Sequence, residues 1–164
     1  MAEEMVLEGV RLELPASTPV MLLREIGERG RELSIYIGGP EASSIHYALE
    51  GIVPERPLTH DLFLATLEAL GATLERVVLT EVRDQTYFAD LVILIDERLV
   101  HVSARPSDGV ALAVRCSASI WAEPQVLEQA GREPIGRESE EGAEELLEGF
   151  RAFIDTIRPE DFEG

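Results

Sequence analysis

The run TLERVVLTEVRDQTYFADLVILIDERLVHVSA, residues 73–104, carries the clearest structural signal in the chain. Val, Ile, Leu, Thr, Tyr and Phe crowd two segments of about ten residues, 73–82 and 86–95, and the polar Arg83-Asp84-Gln85 between them suits a short hairpin connection. Residues 99–104 (LVHVSA) predict a further strand. An apolar strand group of this kind needs a second layer to cover it.

Downstream, Arg105-Pro106-Ser107-Asp108 turns into a predicted helix in which Val110, Ala111 and Val114 face inward and Ser107 or Asp108 acts as the cap. Ser119 to Ala122 predicts a short final strand, and Pro124 opens a helix that Gly131 closes. Upstream, residues 5–14 alternate apolar and charged side chains, and 19–26 and 33–37 add two strands around the GERGR turn, so the chain is expected to begin as an antiparallel meander. Pro40 and Glu41 suit the start of a helix that Gly51 stops. After the extended IVPERPL linker, Thr59 is the expected cap of a second helix, with Leu62, Phe63, Leu67 and Leu70 as its apolar stripe. The expected fold class is α/β in the broad sense (α+β), helices packed on a mixed or antiparallel sheet.

At 164 residues, 45% of them hydrophobic, the chain is large enough for one core built without disulfides. Residues 1–131 form the expected domain, 132–142 a polar linker, and 143–164 an acidic amphipathic helical tail whose stripe is Leu146, Leu147, Phe150, Phe153, Ile154 and Ile157. No apolar run reaches the length of a membrane span and the N-terminus is acidic, which predicts a cytoplasmic protein. The single cysteine, Cys116, is expected to be a buried thiol.

The net charge is −18, and all 14 basic residues are arginine. Without lysine there is no Schiff-base chemistry and no P-loop, and no G-x-G-x-x-G appears, so no nucleotide or organic cofactor is expected. Both parts are acidic, with 10 Arg against 21 Asp and Glu in residues 1–131 and 4 against 11 in 132–164. Tight, nonspecific binding to DNA needs basic patches and is therefore disfavoured.

Three polar turns that each open a helix collect the candidate chemistry: GGPEASS, RPLTHD and ARPSDG. They supply Glu41, Arg56, His60, Asp61, Arg105, Ser107 and Asp108. Each acid also suits a helix N-terminus on structural grounds alone. His60 is the best proton carrier of the three histidines, ahead of His46 on a helix and His101 in a strand. Asp61 adjoins it in sequence but points elsewhere on a helix, so Glu41, Glu81 or Asp108 must orient the ring. A serine hydrolase built on Ser107 lacks the G-x-S-x-G elbow.

In this order, IGGPEASSI (37–45), RPLTHDL (56–62), TYFADLVI (86–93) and SARPSDGVALAVR (103–115) resemble the bifunctional nuclease domain family, whose members are described as acting on RNA and DNA. The likeness spans about residues 5–131. It implies a strongly bent sheet, assembly at least to a dimer, and hydrolysis of phosphodiester bonds. It transfers Glu41, His60, Asp61, Arg105, Ser107 and Asp108 as candidate catalytic residues. On that reading Arg105 clamps phosphate, His60 shuttles a proton, and Glu41, Asp61 and Asp108 hold a Mg²⁺ or Mn²⁺ ion. Short or single-stranded nucleic acid is the expected substrate, given the acidic surface. Gly109 departs from the pattern, where a small helix former such as alanine is usual, and is expected to weaken only the local helix. Two rival classes stay open: a non-catalytic oligomeric binding or regulatory module, and an enzyme on a small phosphorylated metabolite that would need Arg56 and Arg105 in one pocket.

Overall fold

The computed structural model describes residues 1–134 together with 148, 149 and 152. The chain divides into two compact units, Met1–Glu133 and Pro134–Gly164. The predicted tail stripe lies outside the described residues. The first unit runs β1 (Glu3–Glu13), β2 (Thr18–Glu25), β3 (Glu32–Tyr36), α1 (Gly39–Leu49), α2 (Thr59–Ala69), β4 (Ala72–Arg83), β5 (Thr86–Ile95), β6 (Arg98–Ala104), α3 (Pro106–Cys116), β7 (Ser119–Ala122) and α4 (Pro124–Ala130).

All seven strands form one mixed, unclosed sheet in the order β3-β2-β1-β7-β4-β5-β6. Two antiparallel meanders, β1 to β3 and β4 to β6, are joined by β7, which pairs antiparallel with β1 and parallel with β4. Within the second meander, two-residue turns reverse the chain at Asp84-Gln85 and Asp96-Glu97. All four residues have positive φ, between 47° and 62°, as the twist of a two-residue hairpin demands.

Bulges explain where the sheet departs from simple alternation. In β4 the buried residues run Ala72 and Leu74, then Val77 and Leu79. The three-residue step coincides with a register shift between Leu74 and Arg76, so the extra residue Glu75 restores the apolar face to the core. A second shift lies between Leu79 and Glu81, and a third in β1 between Leu7 and Gly9. Each is a place where a strand bends and twists more sharply.

Helix α3 packs on β4 and β5, with α1 and α2 against it. Val110, Ala111, Leu112 and Ala113 are all buried, a broader buried face than the one expected from Val110, Ala111 and Val114. Gly109 does more than weaken the helix, which corrects the expectation for it. A Cβ built there would stand 2.6 Å from Val77 Cγ1, so the missing side chain lets α3 approach β4 this closely. Cys116 is exposed rather than buried, at the end of α3, and its thiol donates to the Leu112 carbonyl at 3.3 Å.

Helix α2 corrects the expected stripe. Leu62, Phe63 and Leu70 are exposed, whereas Leu64 and Leu67 pack against the core. The inward face therefore reads His60, Leu64, Leu67, at steps of four and three, which places His60 on the protein side of the helix. The capping expectations also shift by one residue. Leu58 is the N-cap of α2 where Thr59 was expected, and Arg105 is the N-cap of α3 where Ser107 or Asp108 was expected. In α3 the cause is Pro106, which occupies the first helical turn and leaves the preceding residue as the boundary.

Candidate functional site

Polar side chains from α1, α2 and α3 form one continuous network, drawn from the starts of the three helices and from Arg115 in the last turn of α3. His60, on α2, is its centre. Nδ1 of the ring lies 2.7 Å from Ser44 Oγ on α1, and Nε2 lies 2.9 Å from Asp108 Oδ1 on α3. Only 13% of the imidazole side chain is exposed. The carboxylate that orients the ring is thus Asp108, one of the three considered; Glu81 pairs instead with Arg83 on β4.

Arg105 extends the network to the surface. Its Nε donates to Asp108 Oδ2 at 2.7 Å, and a terminal nitrogen donates to Glu41 Oε1 at 2.9 Å and to Asp108 Oδ1 at 3.1 Å. The guanidinium side chain is nevertheless 64% exposed. Burial pushes the Asp108 carboxyl up, but the hydrogen bonds from Arg105 and His60 and the charge of Arg105 outweigh it and hold it below its ordinary range. The bonds that Arg105 donates to Asp108 and then to Glu41 raise its own value.

On the inner side, Arg115 ties the three helices together. It donates through Nε to Asp61 Oδ1 at 2.8 Å, through one terminal nitrogen to the Ala111 carbonyl at 2.7 Å, and through the other to the Ser44 carbonyl at 3.1 Å and Ser44 Oγ at 3.0 Å. Asp61 spends its second oxygen on the Leu58 backbone N–H at 3.0 Å, capping α2. The Arg115 bond is the main reason that its carboxyl sits below the ordinary range.

Of the residues expected from the sequence, Glu41, His60, Asp61, Arg105 and Asp108 come together here. Ser107 is buried in the first turn of α3 and makes none of these hydrogen bonds. Arg56 is exposed in the linker and does not join Arg105. His46 is exposed on α1, and His101 lies on β6, 3.7 Å from Asp90. Sequence reasoning passed over Ser44 and Arg115. Both signals were present, since Ser44 follows Glu41 by three positions on α1 and Arg115 follows Asp108 by seven on α3, spacings that share a helix face.

As a divalent-metal set, Glu41, Asp61 and Asp108 do not fit. Each carboxylate already accepts from an arginine, and Asp61 belongs to the Arg115 side of the cluster while Glu41 and Asp108 flank Arg105. Among the described residues no three His, Cys, Asp or Glu side chains are grouped as metal ligands. No helix among them is long and apolar enough to cross a membrane.

Comparison with known proteins meets this geometry from a separate direction. The bifunctional nuclease domain matches residues 21–134, a span that contains every residue of the cluster. The uncharacterized proteins MT1877 and Rv1829 of Mycobacterium tuberculosis, from strains CDC 1551 / Oshkosh and ATCC 25618 / H37Rv, are each 43% identical over 159 residues, covering 94% of both chains. With the match extending over most of the folded unit and the quoted turns assembled on three adjoining helices, the chain belongs to the bifunctional nuclease domain family.

Proposed function

We propose that the chain hydrolyses phosphodiester bonds in RNA and DNA at the His60 cluster. The observation that carries this reading is a histidine held at both ring nitrogens, with an exposed arginine on the same carboxylate that orients it. Arg105 is the phosphate ligand. Its planar fork matches a phosphate as well as a carboxylate, and Glu41 is the weaker-anchored partner that phosphate displaces. His60 carries the proton between attacking water and departing oxygen, and Asp108 orients it. No metal-bound water enters this scheme. The net charge of −18 opposes long duplexes, so short or single-stranded substrates are the ones that reach the site. Exposed Leu58, Leu62, Phe63 and Leu70 along α2 support the further proposal that the protein works as a homo-oligomer.

A second reading has its own support. Arg105 and Arg115 are already neutralised by Glu41, Asp61 and Asp108, so the network is complete without a ligand, as a structural clamp in an oligomeric binding module would be. Cleavage of fluorescent single-stranded RNA and DNA separates the two, using purified wild type and a folded His60→Ala/Asp108→Ala variant, in Mn²⁺ and in EDTA. The nuclease reading expects the variant to lose about 10²-fold or more of the rate. Equal traces of activity in both proteins would sink it and leave the clamp.

A further inference from the structure

The cluster contains a chain of four groups whose ends have opposite hydrogen-bonding character. At one end stands Arg115, a guanidinium, which has donors and no acceptor. At the other stands Asp108, whose depressed carboxyl is ionised at neutral pH and only accepts. Between them lie Ser44 and His60, each of which can run in either direction. The two ends remove that freedom.

Arg115 donates to Ser44 Oγ at 3.0 Å. The Ser44 hydroxyl hydrogen then needs an acceptor, and among the described residues the partner within reach of Oγ is His60 Nδ1 at 2.7 Å. At the other ring nitrogen, Nε2 faces Asp108 Oδ1 at 2.9 Å, a contact that repels two lone pairs and attracts an N–H. Both demands agree. A ring with its single proton on Nδ1 would leave the Ser44 hydrogen without a partner and set the Nε2 lone pair against a carboxylate. A doubly protonated ring would satisfy Asp108 and still strand the Ser44 hydrogen in a nearly buried position.

We infer that Ser44 and Arg115 are positioning residues that hold His60 as the neutral ring with its proton on Nε2, through a one-way chain from Arg115 to Ser44 to His60 to Asp108. The inference deepens the proposed nuclease site and rests on His60 as its proton carrier. It makes Nδ1 the accepting and Nε2 the donating nitrogen of the ring, with Nε2 on the side where Arg105 is exposed for phosphate. Arg115 sits two turns along α3 from Asp108 and touches no substrate in this scheme, so its part is played through Ser44.

The test is long-range proton–nitrogen correlation on the full chain with ¹⁵N-labelled histidine at neutral pH. The wild type should show an unprotonated Nδ1 and a protonated Nε2 for His60, assigned by the loss of its signals in His60→Ala. Ser44→Ala should move the tautomer ratio about tenfold toward Nδ1–H, the equivalent of one lost hydrogen bond. Ser44→Thr, which keeps the hydroxyl, should restore the wild-type pattern. A wild-type ring protonated on Nδ1 overturns the inference and needs no variant to fold. So do unchanged ring signals in a Ser44→Ala protein whose circular dichroism matches the wild type. Because these readouts do not involve cleavage, wild-type protein that shows the expected tautomer and cuts no substrate would overturn the nuclease reading alone.

Discussion

Two arginine–carboxylate assemblies stand in different parts of this molecule, and their contrast shows what distinguishes a strut from a site. At the end of β2, Glu25 accepts from Arg31 in a forked arrangement, with Nε to Oε2 and a terminal nitrogen to Oε1 both at 2.8 Å. The pair closes the loop between β2 and β3, and its side chains are only 6% and 14% exposed. Arg105 makes bonds of similar length to Asp108 and Glu41, yet its side chain is 64% exposed and its carboxylates come from two helices. Bond lengths are similar in both places. What differs is whether solvent, or a ligand, can reach the cation. A buried fork has no face to offer, whereas an exposed one can exchange a carboxylate for a phosphate.

That contrast is most sharply broken by Arg31→Ala. Removal of the buried partner strands the Glu25 charge, and the expected cost is about 2–3 kcal/mol of folding stability with cleavage per folded molecule unchanged, read from urea denaturation and rate measurements on the same samples. Arg105→Ala should do the reverse. Its stability change should stay within about 1 kcal/mol because solvent screens the pair, while kcat/KM on single-stranded substrate should fall roughly tenfold or more. A large stability loss with intact cleavage would make Arg105 a strut as well, and the two assemblies would cease to differ.

The smallest expected effect is in acid. Glu25 is held below its ordinary range chiefly by its hydrogen bond from Arg31, and Asp108 by Arg105 and His60 against the opposing effect of burial. A carboxylate with a depressed native value stabilises the fold above its unfolded value, near pH 4, and that stability drains away as pH falls through the native value. The contribution of Glu25 and Asp108 should therefore be level from pH 7 to 5 and decline below about 4. Arg31→Ala should flatten the Glu25 part of that decline even in added salt, and Arg105→Ala should flatten its part mainly at low salt, as denaturation series at two ionic strengths would show.

Much of the fold was legible because local rules decide it. The segments 86–95 and 119–122 match β5 and β7 end to end, since turn residues and Pro or Gly mark their limits. The three helix-opening turns were legible for the same reason, and with them His60, Asp61, Glu41, Arg105 and Asp108. The stripe of α2 was misread because the sequence offers two overlapping apolar faces, Leu62, Phe63, Leu67, Leu70 and His60, Leu64, Leu67, and only the neighbour it packs on selects between them. Sequence reasoning selected Ser107 and Arg56 and passed over Ser44 and Arg115, because residue type says nothing about direction. The metal reading rested on the same point: three acids near helix starts are compatible with a cation, and in this structure each of them accepts from an arginine.

By itself, the sequence determined the order and type of the elements, the all-arginine, strongly acidic charge, and the family, because periodicity, turn chemistry and ordered motifs are properties of neighbours along a chain. Only the tertiary structure decided that β7 joins two meanders into one sheet, that Gly109 is where α3 meets β4, and that Ser44, His60 and Asp108 stand in line. Those facts depend on residues 16 to 119 positions apart coming into contact, and such distances are set by the packing of helices on a bulged sheet.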